Sequence, residues 1–194
     1  MAHFAEVVDQ VTNSPEHETI VLGGGCFWCV EAVYVELKGV TRVVNGYAGG
    51  PENTANYEAV CTKRSGHVEV VLVEFNPQII STEDILKVFF STHDPTTPNR
   101  QGNDVGPQYR SAVFYTSPRQ KELAEKIMAD DVPDLYGADA VTELLPLDIF
   151  YAAEDYHQDY YRKVGARNSY CSFVISPKVG KFRKQFAHLR NEAA

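Results

Sequence analysis

The chain has 194 residues, 44% of them hydrophobic and 23% charged, a composition that suits one globular domain with its own core and excludes a disordered chain. A formal net charge of −8 argues against nucleic acid as the main partner, because a phosphate backbone selects basic faces. No apolar stretch approaches the roughly 20 residues needed to cross a bilayer, and the first 14 residues lack a signal-peptide pattern, so the chain reads as cytoplasmic, with no membrane partner.

Residues 1–18 read as an N-terminal arm. Thr19-Ile20-Val21-Leu22 leads into Gly23-Gly24-Gly25, with Ala32, Val33 and Leu37 beyond, which predicts a strand at about 19–24, a tight turn and a helix at about 26–37. A second strand over 40–47 ends at Gly49-Gly50-Pro51 and a long loop follows. His67 to Phe75 alternates as a strand, with Val68, Val70 and Leu72 on one face and Glu69, Val71, Val73 and Phe75 on the other. Glu69 is the odd residue on its face. Ser81 and Asp84 resemble a capping box, before a helix at about 82–91. The stretch 93–108 holds Pro95, Pro98, Gly102, Gly106 and Pro107, so it is a loop, long enough to suggest function. A strand at 109–116 precedes Ser117-Pro118-Arg119-Gln120, a helix start with Ser as N-cap and Pro at the first position, and that helix reaches about Ala129. A strand at 140–146, a helix at 152–157 and a tail helix at 178–188 complete the order. The first six elements predict an α+β fold: a two-layer sandwich with a ferredoxin-like βαββαβ core and an irregular C-terminal extension.

The four cysteines, Cys26, Cys29, Cys61 and Cys171, are too few and too scattered for a disulfide-stapled scaffold. A structural zinc site usually has a second short-spaced pair, so no metal is assigned, and a zinc-binding module stays a minor reading. Cys26 falls between the glycine turn and the helix start, where unpaired N–H groups and aligned peptide dipoles favour an anion, and the thiolate is the reactive form of cysteine. The only Trp, Trp28, is two residues away. Cys26-x-x-Cys29 also matches a thioredoxin-like motif, which makes a general dithiol–disulfide oxidoreductase the competing reading.

Gly25-Cys26-Phe27-Trp28-Cys29-Val30-Glu31-Ala32 resembles the signature of the peptide methionine sulfoxide reductase A family, which reduces the S epimer of methionine sulfoxide. Further blocks follow in family order: Gly46-Tyr47-Ala48-Gly49-Gly50, Tyr57-Glu58-Ala59-Val60-Cys61, Gly66-His67-Val68-Glu69-Val70, His93-Asp94-Pro95, Gly102-Asn103-Asp104, Gln108-Tyr109-Arg110 and Ala153-Glu154-Asp155-Tyr156-His157-Gln158. The chemistry needs a nucleophile and an acid, because a sulfoxide oxygen leaves poorly unless it is protonated or strongly hydrogen-bonded. The resemblance implies Cys26 as nucleophile and Glu69 as acid, with burial expected to keep that carboxyl protonated. It implies that Tyr57 and Tyr109 bond the sulfoxide oxygen, that Asp104 acts on it through water, and that Phe27 and Trp28 cradle the substrate methyl. His67 and His157 are expected to make structural hydrogen bonds, and Cys61 to be structural.

Attack by Cys26 leaves a sulfenic acid that a second thiol captures as a disulfide. Cys171, in Asn168-Ser169-Tyr170-Cys171, resembles the family's recycling cysteine; Cys29 is the alternative. The resemblance thus implies residues 19–194 as a single catalytic domain whose C-terminal segment, about 165–194, carries the resolving thiol. Methionine sulfoxide, free or in oxidised proteins, is the expected substrate and a thioredoxin-like dithiol protein the reductant, with no cofactor. One departure stands out: Lys63 and Ser65 replace the Gly and Thr common in the family, which raises the question whether a positive φ is still needed near Glu69.

Overall fold

The computed structural model describes residues 5–7 and 13–191. Strand β1 (Ala5–Val7) and strand β2 (Glu18–Gly24) precede helix α1 (Phe27–Tyr34). Strand β3 (Val40–Ala48), the short helix α2 (Tyr57–Cys61), strand β4 (Val68–Phe75) and helix α3 (Thr82–Thr92) follow. A small hairpin of β5 (Arg100–Gln101) and β6 (Asp104–Val105) leads to strand β7 (Ser111–Tyr115) and helix α4 (Pro118–Tyr136). Strands β8 (Glu143–Pro146) and β9 (Ile149–Ala152), helix α5 (Tyr160–Val164), a π-helical turn (Cys171–Ile175) and helix α6 (Ser176–Gln185) complete the order.

The sheet has seven strands in the order β1-β9-β3-β4-β2-β7-β8. Every pairing is antiparallel except β7 with β8. Strands β8 and β9 are separated by only Leu147 and Asp148, yet they pair near opposite ends of that order. At no more than about 3.6 Å per residue, that link spans about 11 Å, so the sheet must curl to bring its two ends together. The fold is therefore a mixed α/β structure around a curled sheet, larger than the four-stranded layer the sequence predicts.

Alternation along the strands divides the core. Ile20, Leu22, Val71, Val73 and Val113 pack against Val33 of α1, Phe89 of α3, Ile127 of α4 and Phe182 of α6, while Val21, Val70, Leu72 and Phe114 meet Phe150 inside the curl. The helices start where their caps predict: Ser81 Oγ accepts from Asp84 N at 3.0 Å, and the Ser117 side chain caps α4. Helix α4 outruns its expected end at Ala129, running through Pro133 to a left-handed cap at Gly137 that stops it.

Three expectations fail locally. Residues 149–152 are strand because β3 pairs with them, Gly46 opposite Ala152, which leaves only a 3-10 turn at Asp155–His157 where a helix was expected. The loop after β3 contains α2, started by the Asn56 side chain accepting from Ala59 N at 3.0 Å. Lys63 keeps a φ of +65°, so losing the glycine did not remove the left-handed turn. The predicted N-terminal arm is structured where it is described: Ala5–Val7 pairs with Ile149–Tyr151, and Asn13 Nδ2 donates to Thr116 Oγ1 at 2.9 Å. The rest of that arm, residues 1–4 and 8–12, lies outside the described residues.

Candidate active site

The glycine turn after β2 aims Cys26 at the start of α1. Gly25 has a φ of +92°, and a Cβ there would meet Gln101 Cγ at 2.6 Å, so both the turn and the close approach of the 93–104 loop require glycine. Gln101 Oε1 accepts from Asp94 N at 3.0 Å, which fixes that loop beside the thiol. Cys26 is the N-cap of α1, and its carbonyl accepts from Cys29 N at 3.0 Å. Strand β4 lies beside β2 with Val71 opposite Leu22, a register that brings Glu69 next to the turn. Its Oε2 accepts from Phe27 N at 3.1 Å, and the residue is 3% exposed.

That environment sets the protonation states. Burial, reinforced by the nearby Asp104 and Cys29, pushes the Glu69 carboxyl up to about 8 against the pull of the Phe27 N–H, so it holds a proton at neutral pH. Burial also raises Cys26, whereas the hydrogen bond from the Cys26 thiol draws Cys29 down to about 7. Burial of the Cys26 sulfur thus opposes the stabilisation that the start of α1 offers its thiolate. Tyr57 and Tyr109 are both raised, first by burial, and then, for Tyr57, by its bond to Cys61 and, for Tyr109, by the charges of Glu69 and Cys26. Both phenols are neutral hydrogen-bond donors near Glu69 and Cys26.

An aromatic wall joins them. Phe27 packs on Tyr47 at 5.9 Å and on His157 at 5.0 Å, and Tyr57 meets His157 at 4.7 Å. Trp28 stacks on Tyr160 with ring centroids 3.8 Å apart and planes within 6°. Glu31 orients that stack by accepting from Tyr160 N at 3.1 Å. Glu154 ties α2 to the wall, taking Tyr57 N and the Tyr47 hydroxyl, each at 2.9 Å.

The chain matches the peptide methionine sulfoxide reductase family over residues 18–190. The chain belongs to this family. Among its relatives, the peptide methionine sulfoxide reductase MsrA of Ralstonia nicotianae is 54% identical over 183 residues, 92% of this chain and 95% of that protein. The structure is similar to Mxr1 from Saccharomyces cerevisiae in its reduced form, with a TM-score of 0.72 and 33% identity over 84% of this chain and 93% of that one. It is also similar to Mxr1 in complex with Trx2, with a TM-score of 0.50 and 26% identity over 73% of this chain and 85% of that one.

Within this methionine sulfoxide reductase site, the sequence overlooked several partners. Asp104 Oδ2 accepts from the Tyr170 hydroxyl at 2.6 Å, and the same hydroxyl lies 3.8 Å from Cys29 Sγ. The residue beside Cys171 thus reaches into the thiol cleft, and its position next to a candidate resolving thiol was the available signal. Neither ring nitrogen of His157 has a hydrogen-bond partner among the described residues; Glu154 Oε2 is 3.8 Å from Nε2, and the ring serves as packing, which corrects the expectation of a structural hydrogen bond from that side chain. His67 does make one, from Nε2 to the Pro51 carbonyl at 3.0 Å. Cys61 is exposed at the end of α2. Of the two candidate resolving thiols, Cys29 lies one helical turn from Cys26, its N–H bonded to the Cys26 carbonyl, while Cys171 is fully buried in the π-helical turn. No cluster of three or more His, Cys, Asp or Glu among the described residues could hold a metal ion.

Proposed function

We propose that this family member reduces the S epimer of methionine sulfoxide, with Cys26 as nucleophile and Glu69 as acid. The observation that carries the reading is the Glu69 carboxyl: buried, protonated at neutral pH and bonded to the backbone N–H of the residue that follows the nucleophile. Cys26 sulfur attacks the sulfoxide sulfur while Glu69 protonates the oxygen, and Tyr57 and Tyr109 donate hydrogen bonds to it. Asp104 orders water at the same oxygen. Phe27 and Trp28 hold the methyl group.

The sulfoxide oxygen leaves as water, and water then attacks the Cys26 sulfur of the sulfur–sulfur adduct, breaking that bond to give methionine, a sulfenic acid on Cys26 and a proton that returns to Glu69. A second thiol attacks that sulfur, forming a disulfide and releasing the oxygen as water, and a thioredoxin dithiol takes over the oxidation by disulfide exchange. Cys171 is the candidate the family pattern favours for the second thiol and Cys29 is the alternative. The closeness of Cys29 to Cys26 on one turn of α1, with Cys171 fully buried, supports an order in which Cys29 closes the first bridge and Cys171 then exchanges onto it.

The four central strands β7-β2-β4-β3, all antiparallel, with α1 and α3 between them in sequence, support a ferredoxin-like core inside the larger sheet, in a single catalytic domain. Four free thiols and a dithiol reductant suit the reducing cytoplasm.

Epimer-resolved reduction of a methionine sulfoxide substrate with dithiothreitol tests the function. Activity confined to the S epimer and lost in Cys26→Ser is the expected result; full activity in that variant would sink it. The competing dithiol–disulfide oxidoreductase predicts indifference to Glu69→Gln.

A further inference from the structure

Eight of the eighteen Lys and Arg, and none of the 26 Asp and Glu, lie between residues 160 and 191. That stretch carries +8 while the rest of the chain carries −16. It folds as α5, the π-helical turn and α6, and it borders an open cleft of about 700 Å³ that contains Cys26 and Cys29. Of the residues assigned to the sulfoxide, Asp104 lines this cleft but Phe27, Trp28, Tyr57, Glu69 and Tyr109 do not, so the thiols have an approach on the side away from the aromatic wall.

The rim of that approach is built of Phe173, Lys178 and Lys181, and Lys184 lies one turn further along α6. Phe173, two residues past Cys171, is 81% exposed, a large apolar ring left in water. The carboxylates at the cleft are already engaged: Asp94 accepts from Thr96 Oγ1 at 2.6 Å and Asp104 from Tyr170. Arg183 is also engaged, against Glu36. Lys178 and Lys181 balance the charges of Asp94 and Asp104 at the cleft itself, and the positive excess lies on the outer side of the rim, where the 160–191 stretch has cations and no acid.

We propose that this basic rim, centred on Phe173, docks an acidic face of the dithiol-protein reductant. The inference rests on the reduction cycle proposed above. The reductant is the partner that must reach a disulfide on this segment, whereas the sulfoxide is served from the aromatic side. An apolar anchor ringed by charges of one sign gives both a contact and electrostatic steering.

The test is steady-state turnover driven by thioredoxin, thioredoxin reductase and NADPH, set beside turnover driven by dithiothreitol. Phe173→Ala with Lys181→Glu should raise the KM for thioredoxin about ten-fold and leave dithiothreitol-driven turnover within about two-fold. The thioredoxin KM of the unaltered protein should rise with ionic strength. An unchanged thioredoxin KM overturns the proposal, as does an equal rise in Lys121→Glu on α4, outside the cleft. A rise confined to the KM for an acidic sulfoxide peptide, with dithiothreitol as reductant, also overturns it and assigns the rim to substrate. Failure of the unaltered protein to reduce methionine sulfoxide with dithiothreitol would instead remove the underlying cycle.

Discussion

Glu69 Oε2 accepts the backbone N–H of Phe27 at 3.1 Å, which places the acid on the first residue of the helix that begins at the nucleophile. The bond serves two states. It orients the protonated carboxyl before reaction and stabilises the carboxylate that remains after the proton has left.

Turnover should fall as pH rises through about 8, because Glu69 must hold its proton to act. Glu69→Gln should lower kcat by about 10²- to 10³-fold and abolish that descending limb. Stability falls with pH as well. The folded-state value of Glu69 is raised above its unfolded one, so the stability it confers is complete below the unfolded value and is lost as pH rises towards about 8. Thermal unfolding at pH 9 should therefore find Glu69→Gln more stable than the parent; a parent that is the more stable there would contradict a buried, uncompensated carboxylate.

Tyr170→Phe removes the 2.6 Å bond to Asp104 and with it one tie between the C-terminal segment and the cleft. A hydrogen bond to a carboxylate contributes about 1.5–3 kcal/mol, so opening of the segment should become at least ten-fold more frequent. Alkylation of the fully buried Cys171, followed by mass mapping, reads that opening. Equal labelling rates in the two proteins would mean that the hydroxyl does not hold the segment.

Much of this was legible in the sequence because it depends on local pattern. The turn–helix junction at Cys26, the alternation that set Glu69 among Val71 and Val73, and the Ser81 and Ser117 caps each follow from neighbouring residues. The misread parts depend on distant partners. Residues 149–152 are strand because β3 needs an edge partner, and the curl of the sheet follows from where β8 and β9 pair, which no local window contains. The burial that raises Cys26 is of the same kind, since residues far along the chain supply it. Tyr170 reaches Asp104 across 66 positions, beyond any motif.

One turnover without reductant, then disulfide mapping, separates the two resolving thiols. Cys171→Ser should accumulate a Cys26–Cys29 bridge at the full single-turnover rate, because the two residues share the first turn of α1 and no buried segment has to move. Cys29→Ser should form a Cys26–Cys171 bridge more slowly, since Cys171 must first leave its buried site. A full-rate Cys26–Cys171 bridge in Cys29→Ser would make Cys171 the direct resolver and leave Cys29 as a neighbour only.

Glu36 fastens the segment at its far end. Its side chain is 8% exposed and accepts from Arg183 Nε at 2.9 Å and Arg190 Nε at 3.1 Å, while Asn191 N donates to its backbone carbonyl at 2.9 Å. Breaking a fully buried pair costs about 3–5 kcal/mol, but the Arg183 side chain is 45% exposed and water recovers part of that loss. Glu36→Ala should therefore cost about 2 kcal/mol, or about 4–8 °C in Tm for a chain of this size. Because the lost contacts join α6 to the end of α1, Cys171 should also label faster, whereas Glu69 and its pH limb should not move. A fall in Tm with unchanged Cys171 labelling would show that Glu36 stabilises the helices without governing access to that thiol.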